Sequence, residues 1–178
     1  MPIPDPVEKL SQLTRLCRLV VFVLLLLPVA VSAAPLATAV KPPQFEDYPA
    51  GRVYTGKHHA PILTAENRIY RTRLRNGAKQ KVNFAGHYVL TVWGCGAYCL
   101  EGAAIDVVSG KVFMIPFTLC CWGEGIDDPL ALKPSSRLIS FQGERDEKEP
   151  IGTWYYQIDD TKGWVMVREM PRPPRGQG

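Results

Sequence analysis

The run VWGCGAYC, residues 92–99, brings Cys95 and Cys99 together with Gly94 and Gly96, and further on Cys120 and Cys121 stand side by side. Thiols can exchange with disulfides, bind metals or crosslink a fold. Redox exchange favours C-x-x-C at a helix start, where the helix dipole lowers one thiol's pKa. Here the spacing is C-x-x-x-C, in a setting of strand and turn. Metal binding needs His or Cys at ligand spacing, but His58 and His59 are adjacent in a loop and His87 lies in a strand-like run, so no metal site and no cofactor are expected.

For crosslinking, the residues alone leave the pairing open. A Cys95–Cys99 bond closes a five-residue ring worth about 2 kcal/mol on the chain-entropy model, and a Cys99–Cys120 bond closing 22 residues is worth about 3.4 kcal/mol. On one strand Cys120 and Cys121 would face opposite sides, and a bridge between adjacent cysteines falls outside ordinary disulfide geometry.

No hydrolytic signature is present: there is no G-x-S-x-G elbow, no H-E-x-x-H and no phosphate loop, so no catalytic residue is assigned. Glu101, Asp106, Asp127 and Asp128 could pair in space for glycoside chemistry. Asp106, however, begins a hairpin and Asp127-Asp128 precedes Pro129, both ordinary turn uses. Trp93, Trp154, Tyr155 and Trp164 are expected in the core, and Trp122 is the aromatic expected at the surface. The candidate binding positions are the loop residues Gly94, Gly96, Tyr98, Trp122, Glu124 and Asp127.

The elements that must position these residues begin after an export signal. Lys9, Arg15 and Arg18 precede a thirteen-residue apolar run from Leu19 to Val31, and small residues follow. Such a run suits a signal-peptide core and is shorter than the roughly twenty residues of a membrane span. Residues 1–33 are read as a signal peptide cleaved near Ala33, the alternative being an anchor that is retained. Cleavage removes three of the 21 Lys and Arg and two of the 17 Asp and Glu, leaving a charge of +3 and, with Cys17 gone, four cysteines. An even cysteine count in an exported chain favours disulfides, and a balance this mild gives no reason to expect nucleic acid. The predicted location is periplasmic or secreted, with no membrane span after cleavage.

Residues 34–62 are rich in Pro and read as an extended lead-in. TAENRIYRTRLRNG predicts a helix over about 64–76, with Thr64 as its cap and Gly77 as a left-handed terminus. VNFAGHYVLTVWG and the later runs CLEGAAIDVV, KVFMIPF, SRLISFQG, GTWYYQI and GWVMVRE read as strands. Ser109-Gly110 and Asp160–Gly163 read as turns, GERDEKEP (143–150) as a charged loop that breaks any strand, and 171–178 as a disordered tail. The fold class predicted is α+β: one amino-terminal helix (about 64–76) packed on an antiparallel β-meander of five to seven strands, disulfide-stabilised, in a single domain over 63–170.

The strings NFAGHYVLTVWGCGAYC (83–99), GAAIDVVSGKV (102–112) and SSRLISFQG (135–143) resemble a family of exported bacterial proteins of unassigned function. Its members share an Arg-rich helix, an N-F-A-G-H-Y segment, W-G-C-G with a second Cys shortly after, and an I-D-x-x-[ST]-G hairpin. The resemblance implies a shared fold, an envelope location and a Cys95–Cys99 disulfide. It implies nothing about the pairing of Cys120 and Cys121. The function expected is a non-enzymatic binding or structural domain that meets a protein or envelope component through loops 94–102 and 119–128. The alternative is a small envelope enzyme using His87 with a nearby carboxylate or thiol.

Overall fold

Strand-forming residues organise the described part of the chain into eight antiparallel strands: β1 (Tyr88–Gly96), β2 (Cys99–Asp106), β3 (Val112–Met114), β4 (Leu119–Cys120), β5 (Leu130–Leu132), β6 (Leu138–Arg145), β7 (Lys148–Asp159) and β8 (Gly163–Pro171). The computed structural model describes residues 40–123 and 126–172. The predicted signal segment, its cleavage point, Glu124 and the end of the tail lie outside those residues. No helix among the described residues is long and apolar enough to cross a membrane.

The sheet runs β1-β2-β4-β6-β7-β8, with β3 also paired to β2 and β5 to β6. This corrects the simple meander of five to seven strands. There are eight, and β2 and β6 each branch, because two short strands share one long partner along its length. The sheet curls far enough for Phe84, just before β1, to stack on Trp164 of β8 with ring centroids 5.9 Å apart.

The predicted helix is real but shorter, and it is not amino-terminal, since a 3-10 turn at Phe45–Asp47 already precedes it. A 3-10 turn at Arg68–Tyr70 leads into α1 (Arg71–Gly77). Thr64 and Asn67 bond one another's backbone instead of capping α1: Thr64 N–H donates to Asn67 Oδ1 at 2.8 Å and Asn67 N–H to Thr64 Oγ1 at 3.4 Å. Such reciprocal side-chain bonds compete with helix and hold a turn. Gly77 is not a left-handed cap either. It is buried inside the last turn, where a Cβ would meet Thr91 Cγ2 at 2.8 Å, so its missing side chain lets α1 lie close on β1.

Alternation along β1 and β2 gives the sheet two apolar faces. Leu74 and Ala78 from the helical segment pack on Trp93, Ala103 and Ile105 on one face. Glu101 locks that contact by accepting from Trp93 Nε1 (2.5 Å) and from the Tyr70 hydroxyl (2.8 Å). The other face holds the larger cluster of Phe84, Tyr88, Leu90, Phe117, Ile139, Phe141, Trp154, Tyr156 and Ile158. Of the four aromatics expected inside, Trp93 and Trp154 are buried, while Tyr155 and Trp164 are half-buried and Tyr156 takes an interior place.

The described part of the lead-in is tied along the domain. Ala50 N–H donates to Ser135 O, Tyr54 N–H to Gly86 O, His59 N–H to Val107 O and Ile62 N–H to Gly110 O. Ser136 Oγ, fully buried, donates to the carbonyls of Phe45 (2.8 Å) and Tyr48 (3.0 Å).

Three turns differ from expectation. The β2–β3 connection spans residues 107–111 rather than Ser109-Gly110 alone, and Asp106 accepts from Val108 N–H and Ser109 N–H across it. GERDEKEP does not interrupt the sheet, because β6 and β7 run through it to a two-residue tip. Asp146 and Glu147 both have positive φ, +55° and +57°, which is the backbone of a type I′ hairpin turn. Charges on an exposed tip cost no burial, so the backbone pairing prevails. Finally, the start of the VNFAGHY run is a turn through Ala85 and Gly86, closed by Tyr88 N–H donating to Phe84 O at 2.9 Å.

Candidate functional site

The β1–β2 hairpin ends in the cystine. Cys95 and Cys99 are bonded with Cα atoms 5.1 Å apart, and a register shift between Gly94 and Gly96 lets the tip bend. The left-handed residue is Tyr98 (φ +52°) rather than either glycine, and the Tyr98 side chain stands 77% exposed. A non-glycine residue holds that conformation only where its surroundings fix it, here the cystine ring.

A second segment meets this tip. Cys120 on β4 is the cross-strand partner of Cys99 on one side and of Glu144 on the other. The expectation that Cys120 and Cys121 face opposite ways does not hold. β4 ends at Cys120, Cys121 turns over at φ +56°, and the two sulfurs lie 2.7 Å apart. Burial pushes the Cys120 thiol up to about 12, assisted by the Cys121 sulfur and the Glu144 carboxylate. Trp122 then comes back over the hairpin, its ring edge-on to Tyr98 with centroids 6.3 Å apart. Comparison with protein-family models, curated proteins and solved structures finds no match for the chain.

The structure therefore joins Gly94, Gly96, Tyr98 and Trp122 with Cys95, Cys99, Cys120 and Cys121 at one end of the sheet. Trp122 is half-buried, and Tyr98 is the more exposed aromatic. Asp127 is exposed on the next loop, and Glu124 lies outside the described residues. Glu144 joins the group unannounced by any spacing, because cross-strand register alone brings it to Cys120.

His87 sits at the far end of β1. Its Nε2 is 3.6 Å from Asp160 Oδ1 and 3.9 Å from Asp106 Oδ1, both too long for hydrogen bonds. Asp160 also accepts from the Tyr88 hydroxyl at 2.9 Å and from Arg137 Nη2 at 3.4 Å. Burial, and then the Asp160 carboxylate, raises the Tyr88 hydroxyl well above the ordinary tyrosine range. His87, Asp106 and Asp160, together with Arg52, Tyr54 and Lys111, line a cleft of about 340 Å³. The Ser109 hydroxyl donates to Asp106 Oδ2 at 2.5 Å. Among the described residues no thiol lines this cleft, and Cys95 lies near the other end of β1, about 25 Å away at strand rise. Asp160 was visible in the sequence only as a turn residue, so its part in this cluster has no local signal.

A second recess, of about 480 Å³, opens beside the β6–β7 hairpin. Arg145 lies flat over Trp154 at 3.8 Å and donates to the Tyr156 hydroxyl at 2.8 Å, which fixes its guanidinium.

Proposed function

We propose that this chain is an exported, non-enzymatic binding domain that recognises a protein or envelope component through the cystine-braced tip bearing Tyr98 and Trp122. The carrying observation is the edge-on pairing of the exposed Tyr98 ring with Trp122 across two loops, one of them closed by the Cys95–Cys99 bond. A large aromatic side chain held in place before binding loses little conformational entropy on binding, and such residues dominate interface energetics. The left-handed backbone at Tyr98 and Cys121 supports the same reading, because strained non-glycine residues gather at binding sites. The envelope location expected from the resemblance to exported bacterial proteins is part of this proposal, as is cleavage near Ala33.

The test uses the exported protein, crosslinked in its own envelope and then purified. The Tyr98→Ala/Trp122→Ala double variant is expected to lose at least about tenfold of its crosslinked partner while keeping its thermal midpoint, since each anchor is worth about 1 kcal/mol or more. Unchanged recovery would remove the proposal.

A second reading, a small envelope enzyme centred on His87, is favoured by one observation: the imidazole lies between two carboxylates in a polar cleft. It predicts that the exported protein turns over an envelope substrate and that His87→Gln and Asp160→Asn each lower that turnover at least about a hundredfold. Turnover that is unchanged in His87→Gln would sink this reading.

A further inference from the structure

We infer that Cys120, Cys121 and Glu144 form a binding site for a thiophilic d10 metal cation of the Zn²⁺ class. The two Sγ atoms and a Glu144 carboxylate oxygen all lie within 4.8 Å of one another. The sheet builds this convergence. Cys120 and Glu144 are direct antiparallel partners, so their side chains leave the same face of adjacent strands. The next residue in a regular strand would point the other way. At Cys121 the backbone instead passes through φ +56°, a region unfavourable to every residue but glycine, and brings the second sulfur to 2.7 Å from the first. Glycine would make the turn without strain. The cysteine at that position puts a second soft donor beside the first.

The donor set selects the ion. Two thiolates and one carboxylate suit Zn²⁺ and its soft d10 relatives, and they do not suit Mg²⁺ or Ca²⁺, which take oxygen ligands. Tetrahedral binding with Zn–S bonds of about 2.3 Å needs the sulfurs about 3.8 Å apart. The exposed Cys121 side chain is free to supply that movement, while Cys120 and Glu144 are held by the strands. Binding forms two metal–sulfur bonds and one metal–oxygen bond, and the two thiol protons leave to solvent. Three protein ligands leave the fourth position for water or for a donor on a bound partner. The inference stands without the proposed function, since neither Tyr98 nor Trp122 supplies a ligand.

The experiment uses the full exported protein. Alkylation and mass spectrometry first count its thiols, with Cys95–Cys99 intact and Cys120 and Cys121 reduced as the expected state. Zn²⁺ is then titrated in competition with a chromophoric chelator, and Cd²⁺ is added to read the thiolate-to-metal charge-transfer absorption. One equivalent is expected to bind. Glu144→Gln should weaken binding at least about tenfold. Cys121→Gly, whose backbone suits the left-handed turn, should abolish the charge-transfer band with the circular dichroism and thermal midpoint unchanged. A Cys120–Cys121 bridge that persists under mild reduction overturns the inference. So does the absence of a charge-transfer band in the reduced wild type, or a band undiminished in Cys121→Gly.

Discussion

Replacing Phe141 with alanine is expected to destabilise the domain by about 3–5 kcal/mol, the range for emptying a fully buried aromatic site. Phe141 is 1% exposed and sits at the centre of the larger cluster. Phe117 meets it edge-on at 5.1 Å, Tyr156 at 5.9 Å and Trp164 at 6.1 Å. These partners come from the segment before β4, from β7 and from β8, so no single neighbour can move to fill the space. Urea denaturation should show a lowered midpoint with an unchanged slope. A loss below about 1 kcal/mol would mean that the sheet does not close over this ring.

Gly143→Ala carries the second large effect. Gly143 has φ +144°, and a Cβ there would strike the carbonyl oxygen of Cys120 while standing 3.3 Å from Leu119 Cδ1. β4 has only two residues, held between β2 and β6, so the collision cannot be spread along a long ladder. The bulge at Gly143 also presents its carbonyl to Trp154 Nε1 at 2.9 Å. A loss of about 1–3 kcal/mol is expected, from backbone strain together with overpacking. Cys120 should become faster to alkylate, because the displaced strand is the one that buries it. Gly94→Ala is the matched control. Its added Cβ would meet Cys99 O at an ordinary 3.8 Å, and its effect should stay within about 0.5 kcal/mol. Equal losses at the two glycines would contradict the close contact between β4 and β6.

The contrast between those glycines shows what local sequence signals reach. Gly94 is conspicuous beside a cysteine, yet it has room for a side chain. Gly143 looks like an unremarkable residue at a strand end, and it lies against the backbone of a segment more than twenty residues earlier. The same limit explains the charged stretch around Asp146. Its composition reads as a solvated loop, and its hydrophilicity is indeed met by solvent, but pairing with neighbours already in register carries β6 and β7 through it. α1 was legible as a helix and not in its length, because the mutual bonds of Thr64 and Asn67 decide the first turn locally in a way that a capping pattern does not distinguish.

What the amino-acid order determined by itself is what depends on neighbours in the chain. The strand-rich character comes from β-branched and aromatic runs, the Asp160–Gly163 turn from its polar residues and a glycine, and a short helix from the Arg-rich segment. The Cys95–Cys99 pairing came from resemblance, and the structure bonds that pair. Only the tertiary structure decided which distant residues meet: Tyr98 with Trp122, Cys120 with Glu144, and His87 with Asp160. Strand register and sheet curl govern those meetings, and both follow from the packing of all eight strands at once. A left-handed residue such as Cys121 is then held by that packing against its own local preference.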